Sequence, residues 1–115
     1  MKKFYFFLLG IVALMLASCD ESADMTVSNK SRYYAIIYID DVQKAELNAG
    51  RTTEVTIKKA NKKHDVTVTL HEYKDDTHYY TNPTKTYETS ERFKWTRDYE
   101  LIITNTSVTL RESDI

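Results

Sequence analysis

The sequence is short of the residues that cross-link, kink or loosen a small protein. One cysteine, Cys19, stands among 115 residues, which excludes an internal disulfide and any cysteine-based zinc site. Two glycines and one proline, with only Gly50 beyond the first 18 positions, exclude collagen-like repeats, low-complexity linkers and glycine-rich phosphate loops. Cations are not in excess: 16 Lys and Arg face 17 Asp and Glu. That balance gives no electrostatic reason to expect a nucleic-acid partner, which needs a cluster of Lys and Arg facing phosphates. The single long apolar run, Phe4 to Ala17, falls short of the roughly 20 residues that a spanning helix requires.

That run is nevertheless the most informative part of the chain. Lys2 and Lys3 form a positive n-region, and residues 4–15 an apolar h-region, which together read as a secretory signal. Leu16-Ala17-Ser18-Cys19 then supplies a branched apolar residue, two small residues and the cysteine. This resembles the lipobox of bacterial lipoproteins. Small residues let the peptidase cleft close around the backbone, and the cysteine sulfur attacks the diacylglyceryl donor as a thiolate. The resemblance implies a signal peptide over 1–18, cleavage between Ser18 and Cys19, thioether diacylation of Cys19, and acylation of the new amine with a palmitate-type chain. Two or three such chains anchor stably, at about 0.8 kcal/mol per buried CH₂. Processing would leave residues 19–115 and, with Lys2 and Lys3 gone, move the formal charge from −1 to −3.

Residues 19–24 read as a short acidic tether, and the five residues after Cys19 reach at most about 18 Å. The acidic cluster has two readings. In proteobacterial lipoproteins, Asp after the cysteine resembles a signal for retention at the periplasmic face of the inner membrane. In Bacteroidetes-type lipoproteins, an acidic cluster here resembles a surface-export signal. The leader as a whole is more similar to the second, so the outer membrane or cell surface is the favoured location.

Residues 25–115 read as one all-β domain. Thr is abundant, and several segments alternate with period two. Tyr33–Asp40 sets Ala35, Ile37 and Ile39 on one face and Tyr34, Ile36 and Tyr38 on the other, as in a central strand partly covered on its second side. Val55 and Ile57 face inward from 53–58. Val66, Val68 and Leu70 alternate with Thr67, Thr69 and His71. Phe93 and Trp95 alternate with Lys94, Tyr99, Leu101 and Ile103 form a further run, and Val108 and Leu110 follow the connection at Asn105-Thr106. Six to eight short strands over about 100 residues suit a small antiparallel Ig-like β-sandwich. The order from Asn29-Lys30-Ser31 through Asp40-Asp41, Ala45–Gly50, Val55-Thr56-Ile57 and His64–Val68 resembles the small Ig-like or PEGA-like modules of bacterial envelopes. Those modules are mostly interaction or spacer domains, and Gly50 stands where such a chain reverses with positive φ.

Three features bear on chemistry. His71 and His78, with Asp75 or Asp76, could in principle hold zinc or copper, but the spacing favours a solvated turn, and His64 and His71 face opposite ways on one strand. No metal or other cofactor is expected. Tyr73, Tyr79, Tyr80, Tyr87, Phe93, Trp95 and Tyr99 crowd into 27 positions. The first reading puts Phe93, Trp95 and Tyr99 in the core and the tyrosines on exposed strand faces; the alternative makes Tyr79, Tyr80, Tyr87 and Trp95 a ligand face, since aromatics stack on sugars and anchor interfaces. Lys58-Lys59 and Lys62-Lys63 bracket Ala60-Asn61 as a basic turn, read first as a soluble hairpin tip and second as a contact for anionic headgroups. No Gly-x-Ser-x-Gly elbow occurs, no carboxylate pair is singled out, and the anchor consumes Cys19, so no enzyme activity is expected.

The functional expectation is a lipid-anchored, non-catalytic interaction or accessory module of the cell envelope, partnered by the membrane through Cys19 and by an envelope protein or glycan. The alternatives are a carbohydrate- or peptide-binding lipoprotein using the aromatic face, and a small inhibitor or immunity lipoprotein.

Overall fold

The computed structural model describes residues 22–95 and 97–113. The expected signal peptide, its cleavage site at Ser18 and Cys19, and the first part of the tether lie outside the described residues. Among the described residues no helix is long and apolar enough to cross a membrane.

Eight strands follow one another: β1 (Ala23–Asn29), β2 (Tyr34–Ile39), β3 (Val42–Leu47), β4 (Thr52–Ile57), β5 (Lys63–His71), β6 (Lys85–Arg92), β7 (Asp98–Ile103) and β8 (Val108–Glu112). They form two four-stranded sheets, ordered β4-β1-β7-β8 and β3-β2-β5-β6, the small β-sandwich that the alternation implies. One pairing departs from the antiparallel expectation. β1 lies antiparallel to β4 but parallel to β7, because the chain makes the whole of β2–β6 before returning beside its first strand. A parallel neighbour needs such a long crossover.

The core lies between the sheets and follows strand parity. Met25 and Val27 of β1, Ile37 of β2, Val66, Val68 and Leu70 of β5, and Leu101 and Ile103 of β7 are essentially inaccessible. β1 begins at Ala23, which is buried and paired with Ile57, so the last two residues of the expected tether belong to the sandwich. β2 is buried on both faces. Tyr34 stacks on Tyr79 at 3.9 Å and 11° and meets the edge of Tyr73, so the long β5–β6 loop covers the second face of the sheet at the Tyr34 end of β2.

The two tight reversals obey their sequence. Ile39 pairs with Val42 around Asp40-Asp41, and both aspartates have positive φ, 50° and 65°, as a two-residue type I′ connection requires. Gly50 takes φ 81°, where its amide donates to the Asn29 carbonyl at 2.8 Å.

Two expectations fail. Phe93 and Trp95 do not lie on a strand: β6 ends at Arg92, and the chain turns, with the Arg97 amide donating to the Lys94 carbonyl at 3.0 Å. Phe93 and Tyr99 do enter the core, meeting edge to face at 4.7 Å, but Trp95 is 57% exposed. The Tyr99 hydroxyl holds this turn by accepting from the Lys94 amide at 2.7 Å.

Candidate functional site

Strand register assigns every loop to one of two ends. β1 starts, β4 stops and β7 starts at one end, which we call the N-terminal end. The β1–β2, β3–β4, β5–β6 and β7–β8 connections all lie at the opposite, distal end. A cleft of about 490 Å³ opens there, lined by Asn48, Ala49, Arg51, Tyr73, Lys74 and Asp75 among others. This volume falls within the range of small-ligand sites. Tyr73 also lines a neighbouring hollow of about 230 Å³ with Arg32, Tyr33 and Glu72.

The cleft walls are tied together by groups placed by the strands. Asn29 ends β1 at inward parity and is 1% exposed. Its Nδ2 donates to the carbonyls of Tyr33 (2.9 Å), Leu47 (3.1 Å) and Asn48 (3.3 Å), and its Oδ1 accepts from the Ser31 amide and hydroxyl. One buried amide thus joins the β1–β2 loop to the β3–β4 loop, satisfying carbonyls that would otherwise be orphaned. Tyr73 links that second loop to the β5–β6 loop: its hydroxyl accepts from the Ala49 amide at 2.9 Å and donates to Asn48 Oδ1 at 3.1 Å.

The β5–β6 loop is pinned in turn by His71. Its ring is buried, with Nδ1 donating to the Tyr80 carbonyl at 2.8 Å and Nε2 accepting from Thr69 Oγ1 at 2.8 Å. Those partners assign the proton to Nδ1. Burial, and then the hydrogen bond with Glu46, push the Tyr34 hydroxyl well above the usual phenol range. The Arg32 guanidinium, bonded to the Tyr33 hydroxyl at 3.0 Å, lowers that phenol instead.

The candidate residues divide between the ends. Tyr79 is half-buried against Tyr34 and His71. Tyr80 is 51% exposed, with Lys74 over its ring at 5.1 Å. Tyr87 sits on β6 opposite Val68 and packs partly against the core. Trp95 lies at the other end of the molecule. The four residues of the expected ligand face therefore do not share a surface, and only Tyr79 and Tyr80 stand beside the distal cleft. The imidazoles are equally scattered. His71 is enclosed, while exposed His78 caps a turn with Asp75, whose Oδ1 accepts from the amides of Thr77 and His78 at 2.8 Å each. These bonds, first that from Thr77, hold the Asp75 carboxyl below its ordinary range. Among the described residues no three His, Cys, Asp or Glu side chains gather as a metal site would require. Asn29, Asn48 and Tyr34 were not read from sequence as contributors, although the parity of Met25 and Val27 carries Asn29 inward.

The N-terminal end carries a different cluster. His64, 8% exposed, places Nδ1 2.6 Å from Asp40 Oδ2 and Nε2 2.8 Å from the Lys59 carbonyl. A carboxylate and a carbonyl only accept, so both ring nitrogens donate and the ring is imidazolium. Burial opposes this charge, but the bonds to Asp40 and Lys59 outweigh it and raise the His64 pKa from 6.5. The same contact lowers the Asp40 carboxyl from 3.8. A raised histidine stabilises below its unfolded value and loses that contribution as pH climbs through the folded value, and a lowered aspartate loses its contribution in acid. The pair is therefore strongest from about pH 4 to 6.5. The melting temperature should fall as pH rises above about 6.5, and His64→Gln should flatten this slope. An identical slope in the variant would remove His64 from the account.

No protein-family profile and no curated protein sequence matches this chain. Solved structures similar to it include pneumolysin, described as a sugar-binding protein, at 15% identity and a TM-score of 0.46, covering 82% of this chain and 23% of that one. The human-specific toxin intermedilysin is 10% identical with a TM-score of 0.44, covering 82% and 23%. A disulfide-locked intermedilysin with human CD59 gives 10%, 0.44, 82% and 24%. The chain spans about a quarter of the length of these proteins.

Proposed function

We propose that this chain is an exported lipoprotein, held by acyl chains on Cys19 to a bacterial membrane, with the outer membrane or cell surface as its place. Its sandwich acts as a non-catalytic interaction module that presents the distal cleft to an envelope partner. The observation that carries this reading is the opposition of the two ends: β1 starts at one, and the cleft opens at the other. A domain tethered through Ala23 by a few residues turns that cleft away from the lipid. The cleft itself offers the Tyr73 ring and hydrogen-bonding groups held by backbone contacts, which suits recognition. Tyr80, half exposed beside Lys74, favours a sugar ring or an extended peptide as the part recognised, since both stack on an exposed phenol.

Labelling with palmitate and photocrosslinking in native membranes test the two halves together. Label should enter the parent and be absent from Cys19→Ala. A photoreactive residue at Tyr80 should give one discrete adduct, and the same group at exposed Glu54, outside the cleft, should give none. Unlabelled, unprocessed protein in the lysate supernatant would refute the anchor. Equal adducts from both positions would refute the cleft as the partner site.

A further inference from the structure

We infer that the N-terminal end of the sandwich is a membrane-apposed face, in which two basic loops carrying Trp95 dock onto anionic phospholipid headgroups. The inference rests on the Cys19 anchor proposed above. Register supplies the placement: Ala23 pairs with Ile57, the residue before Lys58, and Asp24 pairs with Asp98, the residue after Arg97. The first described strand thus emerges between the β4–β5 and β6–β7 connections. Ala23 is the fourth residue after Cys19, a reach of about 14 Å at full extension, so a lipid on Cys19 holds this end within reach of the headgroups.

Charge is concentrated at that point. Positions 58–63 and 92–97 contain Lys58, Lys59, Lys62, Lys63, Arg92, Lys94 and Arg97, seven of the chain's 16 cations and none of its 17 carboxylates. The two loops are therefore locally basic although the net charge of the chain is small. The two loops form one surface. The Asn61 amide donates to the Phe93 carbonyl at 2.5 Å, and Arg92 Nη1 donates to the Asn61 carbonyl at 2.8 Å. Ala60, fully buried, plugs the first loop into the core and leaves its lysines outside. Carboxylates border the patch at the strand ends: Asp24 pairs with Asp98, Glu91 pairs with His64, Asp65 is bonded through its amide to Asp40, Asp40 is engaged by His64, and Glu112 lies 3.9 Å from Lys94, so the basic surface is that of the two loops themselves.

The apolar side chains agree. Among the described residues the large exposed hydrophobics are Val42, Tyr80 and Trp95, at 54%, 51% and 57%, and two of the three, Val42 and Trp95, belong to this end. A depression of about 180 Å³ beside Val42 is lined by Lys44, Lys58 and Lys59 together with Asp40. Exposed tryptophan ringed by Lys and Arg is the composition that partitions to a membrane interface.

Trp95 is the chain's single tryptophan and therefore its own probe. The full acylated protein would be reconstituted in phosphatidylcholine vesicles with brominated chains, with and without phosphatidylglycerol. Trp95 emission should shift to the blue and be quenched in the anionic vesicles, and high salt should reverse the shift by shortening the screening length. Each lysine near an anionic surface contributes about fivefold in affinity, so K58Q/K59Q/K62Q should weaken docking about 100-fold and return quenching to its neutral-vesicle level, with thermal unfolding unchanged. Emission alike in both vesicles, or a triple variant quenched like its parent, would overturn the inference. Flotation with neutral vesicles reads the anchor separately. A protein that fails to float there but still shows Trp95 quenched on anionic vesicles would refute the anchor and leave the docking face standing.

Discussion

Val68→Asp is expected to leave the chain unfolded at 25 °C. Val68 is 1% exposed at the middle of β5, between Ile37 of β2 and Tyr87 of β6. Its burial contributes about 1.5–3 kcal/mol, and an uncompensated charge at such a position costs about 3–5 kcal/mol more. A domain of this size holds about 5–15 kcal/mol in all, without a disulfide to lower the entropy of the unfolded chain. The loss is therefore comparable with the whole stability. Far-UV circular dichroism and thermal unfolding read it directly. Thr86→Asp on exposed β6 serves as the control, expected to change stability by no more than about 0.5 kcal/mol. A parent-like melting temperature in Val68→Asp would mean that the inward face has been assigned to the wrong parity.

Asn29→Ala is the second large effect, expected at about 3–5 kcal/mol. The substitution removes both amide donors and the Oδ1 acceptor, leaving the Tyr33 and Leu47 carbonyls and the Ser31 amide short of partners. Each stranded buried group costs about 1–3 kcal/mol. Asn29→Asp keeps the shape but sets a carboxylate against carbonyl oxygens, and its pKa must rise. Its destabilisation should therefore be greatest at neutral pH and ease as pH falls through that raised value. Hydrogen exchange of the Asn48–Arg51 amides should accelerate in both variants, since Asn29 ties that loop to the sheet. A cost below about 1 kcal/mol for Asn29→Ala would show that water replaces the amide without penalty.

The strands with two-residue alternation were legible because a sheet face either meets the core or does not. β5, β4 and β7 follow that pattern closely, and the covered second face of β2 was visible in its doubly apolar run. β6 was not legible. It is an edge strand, and its residues Lys85 to Arg92 are mostly exposed or half-buried, so little apolar selection marks its period. Trp95 was misplaced for the opposite reason. Phe93 and Trp95 alternate like strand residues, but the strand had already ended, and sequence does not locate the end of a ladder whose last pairs depend on a distant partner.

The candidate sites divide in the same way. The basic turn and the aromatic abundance are written in the chain as composition. Their position is not, because Trp95 and Tyr80 lie 15 positions apart in sequence and at opposite ends of the sandwich. Nothing local in His64 announces Asp40, 24 positions earlier, as its partner.

The amino-acid order alone determined that this is a small all-β domain, since period-two alternation and β-branched residues are local consequences of a pleated backbone. Only the tertiary structure decided that Asn29 ties two loops, that Tyr34 lies under Tyr79, and that the lysines of 58–63 stand beside the start of β1. Those are contacts between segments far apart in sequence, set by which strands pair, and strand pairing is a property of the whole core rather than of any segment in it.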